Sequence, residues 1–324
     1  MQRGHLFAGA WALALVLHAA HGLAESFPDK SIRFIVPFAV GGSSDTLART
    51  LAQTLTDLLG HQVVVDNRPG ANGNIGMEIA AKAPADGYTI VLADVANLAI
   101  APSLYAKLPY DPVKDYAPIN LPATSPNVLC VHPSVQAKTL KELLTLAREN
   151  PRKITYASAG VGQVGHLTGE MLNQLAGVEM VHVPYKGSSQ AVVDLVGGHI
   201  QVMFSAFSST LPHIKAGRLR ALAVTGAKRS APVPDVPTIA ESGFPGFEAV
   251  SWYSVVAPAG TPKSAVNKLN AEILRTLSAA QVKDRLATLG FEIVGSPPDV
   301  LAAYIKSEIL KWAPVVKASG AKVD

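Results

Sequence analysis

Short apolar runs typical of β-strands alternate with helical patterns along almost the whole chain of 324 residues. The run "IRFIVPF" leads into "SSDTLARTLAQTLTDLLG", in which Leu47, Leu51, Leu55 and Leu58 fall on one helical face. Repeated strand–helix units place successive strands parallel in one sheet and cover that sheet with helices. The alternation therefore predicts an α/β fold with mostly parallel or mixed sheets.

Two proline-rich segments, "APSLYAKLPYDPVKDYAPI" and "SAPVPDVPTIAESGFPGFEA", interrupt this alternation. They predict two lobes joined by two crossing segments near 120–126 and 245–252, with a ligand cleft between the lobes. The last helices come with few strands, so we expect them to return to the first lobe. Lobe 1 is predicted at 25–125 plus 248–324 and lobe 2 at 126–247; a single large sheet is the alternative.

The N-terminal segment, residues 1–24, has the pattern of a secretory signal peptide. "MQRGH" supplies a positive charge, "LFAGAWALALVLHAA" is apolar, and small residues precede a cleavage site predicted after Ala24. The alternative is a membrane anchor. The short apolar run, with His18 inside it, disfavours that alternative, so we expect an exported protein.

Composition excludes several functional classes. The chain is 48% hydrophobic and 16% charged, with a formal net charge of +4 and scattered Lys and Arg, which does not indicate a nucleic-acid partner. The single cysteine, Cys130, cannot form an intramolecular disulfide. It lies in the apolar run "NVLCVHP", which predicts a buried, inert thiol rather than a nucleophile or metal ligand.

Three turns share one pattern, in which a strand end is followed by glycine or serine and then by a helix start: 37–45, 157–166 and 184–190. The first N–H groups of a helix have no intrahelical acceptor and favour an anion. Helix capping alone would explain any one such turn, but three turns over both lobes favour a shared anion site. Asp45 is expected to brace its turn, with contact to a ligand's amino or hydroxyl group as the lesser alternative.

The sequence gives little support for an enzyme. Gly160, Gly162 and Gly165 match the spacing of a dinucleotide fingerprint, but the next strand, "EMVHV", is not followed by the required acidic residue. We interpret the match as a coincidence. Gly-x-Ser-x-Gly and His-Glu-x-x-His patterns are absent from the sequence.

Seven motifs occur in an order that resembles one known family over essentially the whole mature chain. They are "FPDKSIRFIVPFAVGGSSDTLAR", "VVDNRPGANGNIG", "AKAPADGYTI", "ITYASAGVGQVGHLTGEM", "VHVPYKGSSQAVVDLVGGHI", "GRLRALAVTGAKRS" and "PDVPTIAESGFPGFEAVSWYSVVAPAGTP". The chain is similar to the Bug-type substrate-binding proteins of tripartite tricarboxylate transporters. The resemblance implies a two-lobed periplasmic-binding-protein (Venus-flytrap) fold, with two mixed or parallel sheets flanked by helices.

The resemblance also implies a function. It predicts a monomeric, non-enzymatic periplasmic protein, without cofactor or metal, that captures a small carboxylate and delivers it to membrane permease subunits. The ligand-binding residues that it implies are Phe38, Gly42, Ser43, Ser44, Asp45, Ser158, Ala159, Gly160, Gly162, His166, Tyr185, Lys186, Gly187 and Ser205. Lys186 is interpreted either as a ligand contact or as a solvated lysine.

One departure from the family pattern concerns the ligand. After "QVMF" the family commonly continues with Asp and Asn, whereas this chain has Ser205, Ala206 and Phe207. This segment is expected to face the cleft, where a lost carboxylate and a gained aromatic favour a ligand with less amine character. An aromatic acid, an aliphatic di- or tricarboxylate and an amino acid all stay open.

Two other functions also stay open on the sequence alone. A secreted hydrolase would use Ser158 or Ser43 as nucleophile with His166, and Asp45 across the cleft as the third member of a triad. A ligand sensor would bind the same acid but present it to a signalling partner.

Overall fold

The computed structural model describes residues 27–323, so the predicted signal peptide and its cleavage site at Ala24 lie outside the described residues. The strands are β1 (Ile32–Val36), β2 (Val63–Asn67), β3 (Thr89–Asp94), β4 (Tyr116–Val131), β5 (Thr155–Ser158), β6 (Val181–Pro184), β7 (Val202–Ala206), β8 (Arg220–Val224), β9 (Val250–Pro258) and β10 (Glu292–Ile293). The α-helices are α1 (Ser43–Leu59), α2 (Asn74–Ala81), α3 (Ala101–Leu104), α4 (Leu140–Glu149), α5 (Val164–Ala176), α6 (Ser188–Val196), α7 (Phe207–Lys215), α8 (Lys263–Ser278), α9 (Ala280–Thr288) and α10 (Pro298–Ser319). A 3-10 turn spans Ala71–Gly73 and a π-helix spans Ala96–Ile100. Between residues 27 and 323, no helix combines the length and apolar character needed to cross a membrane.

Two mixed sheets share the long strand β4. In the first, β1 pairs parallel with β2 and β3, β9 lies antiparallel to β3, and β4 lies antiparallel to β9. In the second, β7 and β8 lie antiparallel to β4, while β5 pairs parallel with β6 and β7. The partners of β4 change after Pro126, close to the first crossing segment expected from the sequence. The α/β class is confirmed, and the residue limits of the two lobes stay a prediction.

The start of β4 overlaps the first proline-rich segment, which we expected to interrupt the alternation of strands and helices. The strand begins at Tyr116 and continues through three prolines. Its pairing with β9 shifts register between Pro118 and Asn120 and again between Asn120 and Ala123. Such irregularities let a strand accommodate residues that cannot donate a ladder hydrogen bond.

The C-terminal helices α8 and α9 pack against the first sheet, and α10 also reaches further. Apolar residues of α8 and α9 share one core with α1 and β1. Helix α10 packs against the π-helix and β4, and it contacts α5 beside the second sheet as well. Helix α10 therefore contacts the shared strand and elements beside both sheets.

A buried carboxylate fixes α10 to the sheet. Trp252 on β9 and Trp312 on α10 are almost fully buried, and both indole Nε1–H groups donate to Glu308 Oε2, at 2.8 and 3.0 Å. Lys311 Nζ lies 3.3 Å from Glu308 Oε1. One side chain thus satisfies two buried donors that would otherwise lack an acceptor.

We expect Glu308→Ala to lower the free energy of unfolding by roughly 2–5 kcal/mol, because two buried indole N–H groups lose their acceptor. Glu308→Gln retains an acceptor and is expected to cost less. Urea unfolding followed by tryptophan fluorescence measures the difference. The control is Lys306→Ala, an exposed position on the same helix, and equal stability of the Glu308→Ala and Lys306→Ala proteins would contradict the assignment.

Candidate functional site

Four helices of nine residues or more begin at one cavity of about 1150 Å³ between the two sheets, and the shorter α2 begins at Gly73 on its wall. Their N-cap residues are Gly42 for α1, Gln163 for α5, Gly187 for α6 and Ala206 for α7, and all four line the cavity. None of these N-caps has a side-chain capping hydrogen bond. Four uncapped helix starts direct backbone N–H groups and positive dipole ends to one place, which favours an anion.

Most of the residues predicted to bind ligand line this cavity. They are Phe38, Gly42, Ser43, Ser44, Ala159, Gly160, Tyr185, Lys186, Gly187 and Ser205. Asp45, Ser158, Gly162 and His166 are not among the lining residues. A direct binding role therefore stays a prediction for the first group.

Asp45 braces the first loop. Its carboxylate accepts hydrogen bonds from Gly41 N at 2.9 Å, Arg49 Nε at 3.0 Å and Asn67 Nδ2 at 3.0 Å. Asn67 Nδ2 also donates to Phe38 O. Burial alone would raise the pKa of Asp45, but the bonds from Arg49 and Gly41 hold the pKa below its usual value. The expected bracing role fits these contacts.

Ser158 and His166 belong to a packed cluster behind the second loop. Ser158 Oγ lies 2.7 Å from His182 Nε2, and Gly162 N donates to His166 Nδ1 at 3.1 Å. The two imidazole rings stack at 3.9 Å between centroids. His166 is therefore not in the cleft position expected from the sequence. The proposed hydrolase set is also not assembled, since Ser158 contacts His182 and Asp45 is engaged elsewhere.

The glycine spacing that resembles a dinucleotide fingerprint has a packing explanation. Gly162 has a φ of 77°, and a Cβ there would lie 2.1 Å from Leu104 Cδ2 of α3. A Cβ on Gly165 would lie 2.4 Å from Phe204 O, where α5 crosses β7. Glycine is required at both positions because other parts of the chain pack closely against them, and no pyrophosphate site is needed to explain the spacing.

Two hydrogen bonds connect the loops of the first sheet to those of the second. Asn72 Nδ2 donates to Val161 O at 2.7 Å, and Ser43 Oγ lies 2.6 Å from Ser208 Oγ. The walls of the cavity therefore touch each other in this structure, which corresponds to a closed cleft.

Phe207 corrects the expectation drawn from the segment after "QVMF". Ser205 and Ala206 line the cavity, but Phe207 is fully buried and packs with Val128 and Val224 in a separate core. A Cβ on Gly290 would lie 2.5 Å from Phe207 Cβ, so the ring is held away from the cavity. The prediction that an aromatic side chain faces the ligand at this position is wrong.

Sequence reasoning missed several polar residues of the cavity. They include Asn72, Asp94, Asn127, Ser188, Ser251, Tyr253 and Lys322. Asp94 ends β3 and lies opposite Tyr253 of β9 in the antiparallel register, so their side chains share one face. Burial raises the pKa of Asp94 to about 7. Because Asp94 lies at the carboxyl end of a strand, the sequence could have indicated it as a site residue. No sequence pattern of this kind points to Tyr253.

The stacked rings of His166 and His182 predict a pH dependence of stability. Burial lowers the pKa of His166 to about 4, and burial together with the neighbouring His166 lowers the pKa of His182 to about 3. Unfolded histidines bind protons below about 6.5, whereas the folded ones do so only near 4 and 3. We therefore expect the free energy of unfolding to fall as the pH is lowered from about 6.5 to about 4.

Denaturant titrations across this pH range measure the slope. His182→Gln is expected to make the slope shallower, because one imidazole no longer takes up a proton on unfolding. His199→Gln, at an exposed histidine, serves as the control and is expected to keep the wild-type slope. An unchanged slope in His182→Gln would refute the assignment.

The sequence and the fold both match known proteins. The tripartite tricarboxylate transporter family receptor (TctC) matches residues 47–321. BugT of Bordetella pertussis is 40% identical over 306 residues, which cover 94% of this chain and 94% of BugT.

Solved structures agree with the same family. The periplasmic binding protein BugD superimposes with a TM-score of 0.84 at 37% identity, covering 92% of this chain and 100% of that one. R. palustris Rpa4515, solved with adipate, gives a TM-score of 0.87 at 37% identity, with coverage of 92% and 100%. The two-lobed periplasmic-binding-protein fold is therefore confirmed, and the chain belongs to the TctC family of tripartite tricarboxylate transporter receptors, with Bug-type proteins among its relatives.

Proposed function

We propose that this protein captures a small carboxylate in the cavity between its two lobes and delivers it to the permease subunits of a tripartite tricarboxylate-type membrane transporter. The observation that carries the proposal is the meeting of four uncapped helix starts at one cavity. The adipate-bound relative Rpa4515 supports the ligand class, because adipate is a dicarboxylate of a size that this cavity holds.

The attraction for a carboxylate has two sources. Backbone N–H groups at the four helix starts act as fixed donors, and hydrogen bonds to an ionised acceptor are about twice as strong as neutral ones. The exposed residues Lys186 and Lys322 line the same cavity and add positive charge near its mouth. Within each lobe the helix backbone holds these donors in place before ligand arrives, so little local ordering accompanies binding.

Capture proceeds by closure of the lobes. The cross-cleft hydrogen bonds of Asn72 and Ser43 form only when the walls meet. A carboxylate that contacts helix starts on both walls binds the closed form better than the open form, and it shifts the population toward closure. Strand β4 and helix α10, which contact both sheets, connect the moving parts.

The protein acts in the periplasm as a monomer after removal of the signal peptide near Ala24. No cofactor or catalytic step is needed for this function. A serine hydrolase is disfavoured by the pairing of Ser158 with His182 instead of His166. Deletion of the gene is expected to abolish uptake of the ligand; a ligand sensor would bind the same acid and leave uptake unchanged.

We expect a cognate carboxylate to raise the thermal stability of the protein. The gain is about 2.7 kcal/mol when the free ligand is at about one hundred times its dissociation constant. A thermal-shift screen over adipate, other aliphatic di- and tricarboxylates, amino acids and aromatic acids measures it. The absence of a shift with every acid would refute carboxylate binding, and unchanged ligand after prolonged incubation would exclude turnover.

Ser44→Ala is expected to weaken the binding of that acid by roughly five- to tenfold without changing the fold, because one hydroxyl donor at the α1 start is lost. Isothermal titration calorimetry measures the dissociation constant. Ser264→Ala, at an exposed serine of α8, is the matched control. Equal affinity in both variants would place the carboxylate away from the α1 start.

A further inference from the structure

One carboxyl group faces the cavity without a cationic partner. Asp94 is the last residue of β3, lines the cavity, and is only 8% exposed. No ion pair between Asp94 and a Lys, Arg or His exists within residues 27–323. An ionised carboxylate in such a position is costly unless an opposite charge or strong donors approach it.

The protein holds this carboxyl in a fixed position. Asn97 N donates to Asp94 Oδ1 at 3.1 Å, and Asp94 N approaches Asn97 Oδ1 at 3.4 Å. Asn97 is itself anchored, because its Nδ2 donates to Asn72 O at 3.0 Å and its carbonyl accepts from Tyr110 OH at 2.9 Å. The donors that reach Asp94 are backbone amides, which carry no charge to balance it.

The other groups around Asp94 are also uncharged. Tyr253 lies opposite Asp94 on β9, and Tyr110 is the second titratable group close enough to interact with it. Burial raises the pKa of both phenols, which stay neutral at ordinary pH. The lysines of the cavity, Lys186 and Lys322, are exposed, whereas Asp94 is buried. The cavity therefore combines a buried carboxyl group with exposed lysines.

We propose that Asp94 receives a protonated amino group of the ligand, so that the cavity selects acids that carry both a carboxylate and an ammonium group. This inference rests on the proposed function and names its ligand class. The carboxylate lies at the helix starts, and the ammonium group lies at the end of β3.

An ammonium group suits this position better than a hydroxyl group. Both can donate a hydrogen bond to Asp94, but only the ammonium group also neutralises the buried charge. Burial raises the pKa of Asp94 to about 7 in the unliganded cavity, and a cation beside it would stabilise the ionised form. Ser205, Ala206 and Phe207 provide no carboxyl group for an amine. Asp94 supplies the missing carboxyl from the first sheet.

Matched pairs of acids test the inference directly. The pairs are aspartate and succinate, glutamate and glutarate, 2-aminoadipate and adipate, and phenylalanine and 3-phenylpropanoate, which differ only by the amino group. Isothermal titration calorimetry on the mature full-length chain gives both dissociation constants of each pair. We expect the amino acid of at least one pair to bind about tenfold more tightly than its partner.

Asp94→Asn removes the charge and keeps the side-chain shape. We expect this variant to lose the preference for the amino acid while it still binds the partner acid. Asp57→Asn, at an exposed position on α1, is the matched control and is expected to keep the wild-type preference. Circular dichroism melts establish that both variants are folded.

A second measurement on the wild-type protein does not depend on a variant. As the pH is lowered from about 8 to about 6, protons compete with the ammonium group for Asp94, so affinity for the amino acid is expected to fall. Affinity for the matched acid without an amino group is not expected to fall, because it does not require an ionised Asp94.

The outcomes distinguish the role of Asp94 from carboxylate binding as such. Tighter binding of the acid without an amino group in every pair, or an unchanged preference in Asp94→Asn, overturns the role of Asp94 and leaves carboxylate binding intact. No binding of any acid to the wild-type protein overturns the proposed function and this inference together.

Discussion

The arrangement of the cavity depends on the backbone N–H groups in the first turns of four helices. They have no intrahelical acceptors, and no side chain caps them in α1, α5, α6 or α7. Each helix follows a strand of one of the two sheets, so the strand ends bring the four starts to a single cavity. The supporting contacts serve this arrangement. Asp45 braces the loop before α1, and the stacked histidines fill the space behind the loop before α5.

The two sheets are tied together by shared elements rather than by the cavity walls alone. Strand β4 changes partners after Pro126, and α10 contacts helices and strands associated with both sheets. The Glu308 carboxylate, which joins two tryptophans, fixes α10 against β9. The cleft is crossed by two polar hydrogen bonds, Ser43–Ser208 and Asn72–Val161, beside the packing of Leu104 on Gly162. Polar contacts of this kind are inexpensive to break and reform, as a clamp that opens and closes requires.

The sequence was sufficient for features that depend on local patterns. Periodicity located α1, and Thr139 caps α4 through a hydrogen bond from Glu142 N. The glycine-serine turns were correctly placed at helix starts. Features that depend on pairing between distant segments of the chain could not be predicted from local sequence patterns. Asp94 meets Tyr253 only through the register of β3 and β9, and Ser158 finds His182 only through the pairing of β5 with β6. The side-chain direction of Phe207 depends on how α7 leaves β7, which periodicity does not determine.

The central claim is that a carboxylate lies at the meeting point of the helix starts and holds the cleft closed. A crystal structure of the protein with its tightest-binding acid tests this claim most directly. We expect a ligand carboxylate oxygen at about 3 Å from a backbone amide of Ser43 or Ser44, with a second contact to the start of α5, α6 or α7. A bound acid whose carboxylates contact none of these helix starts would contradict the account.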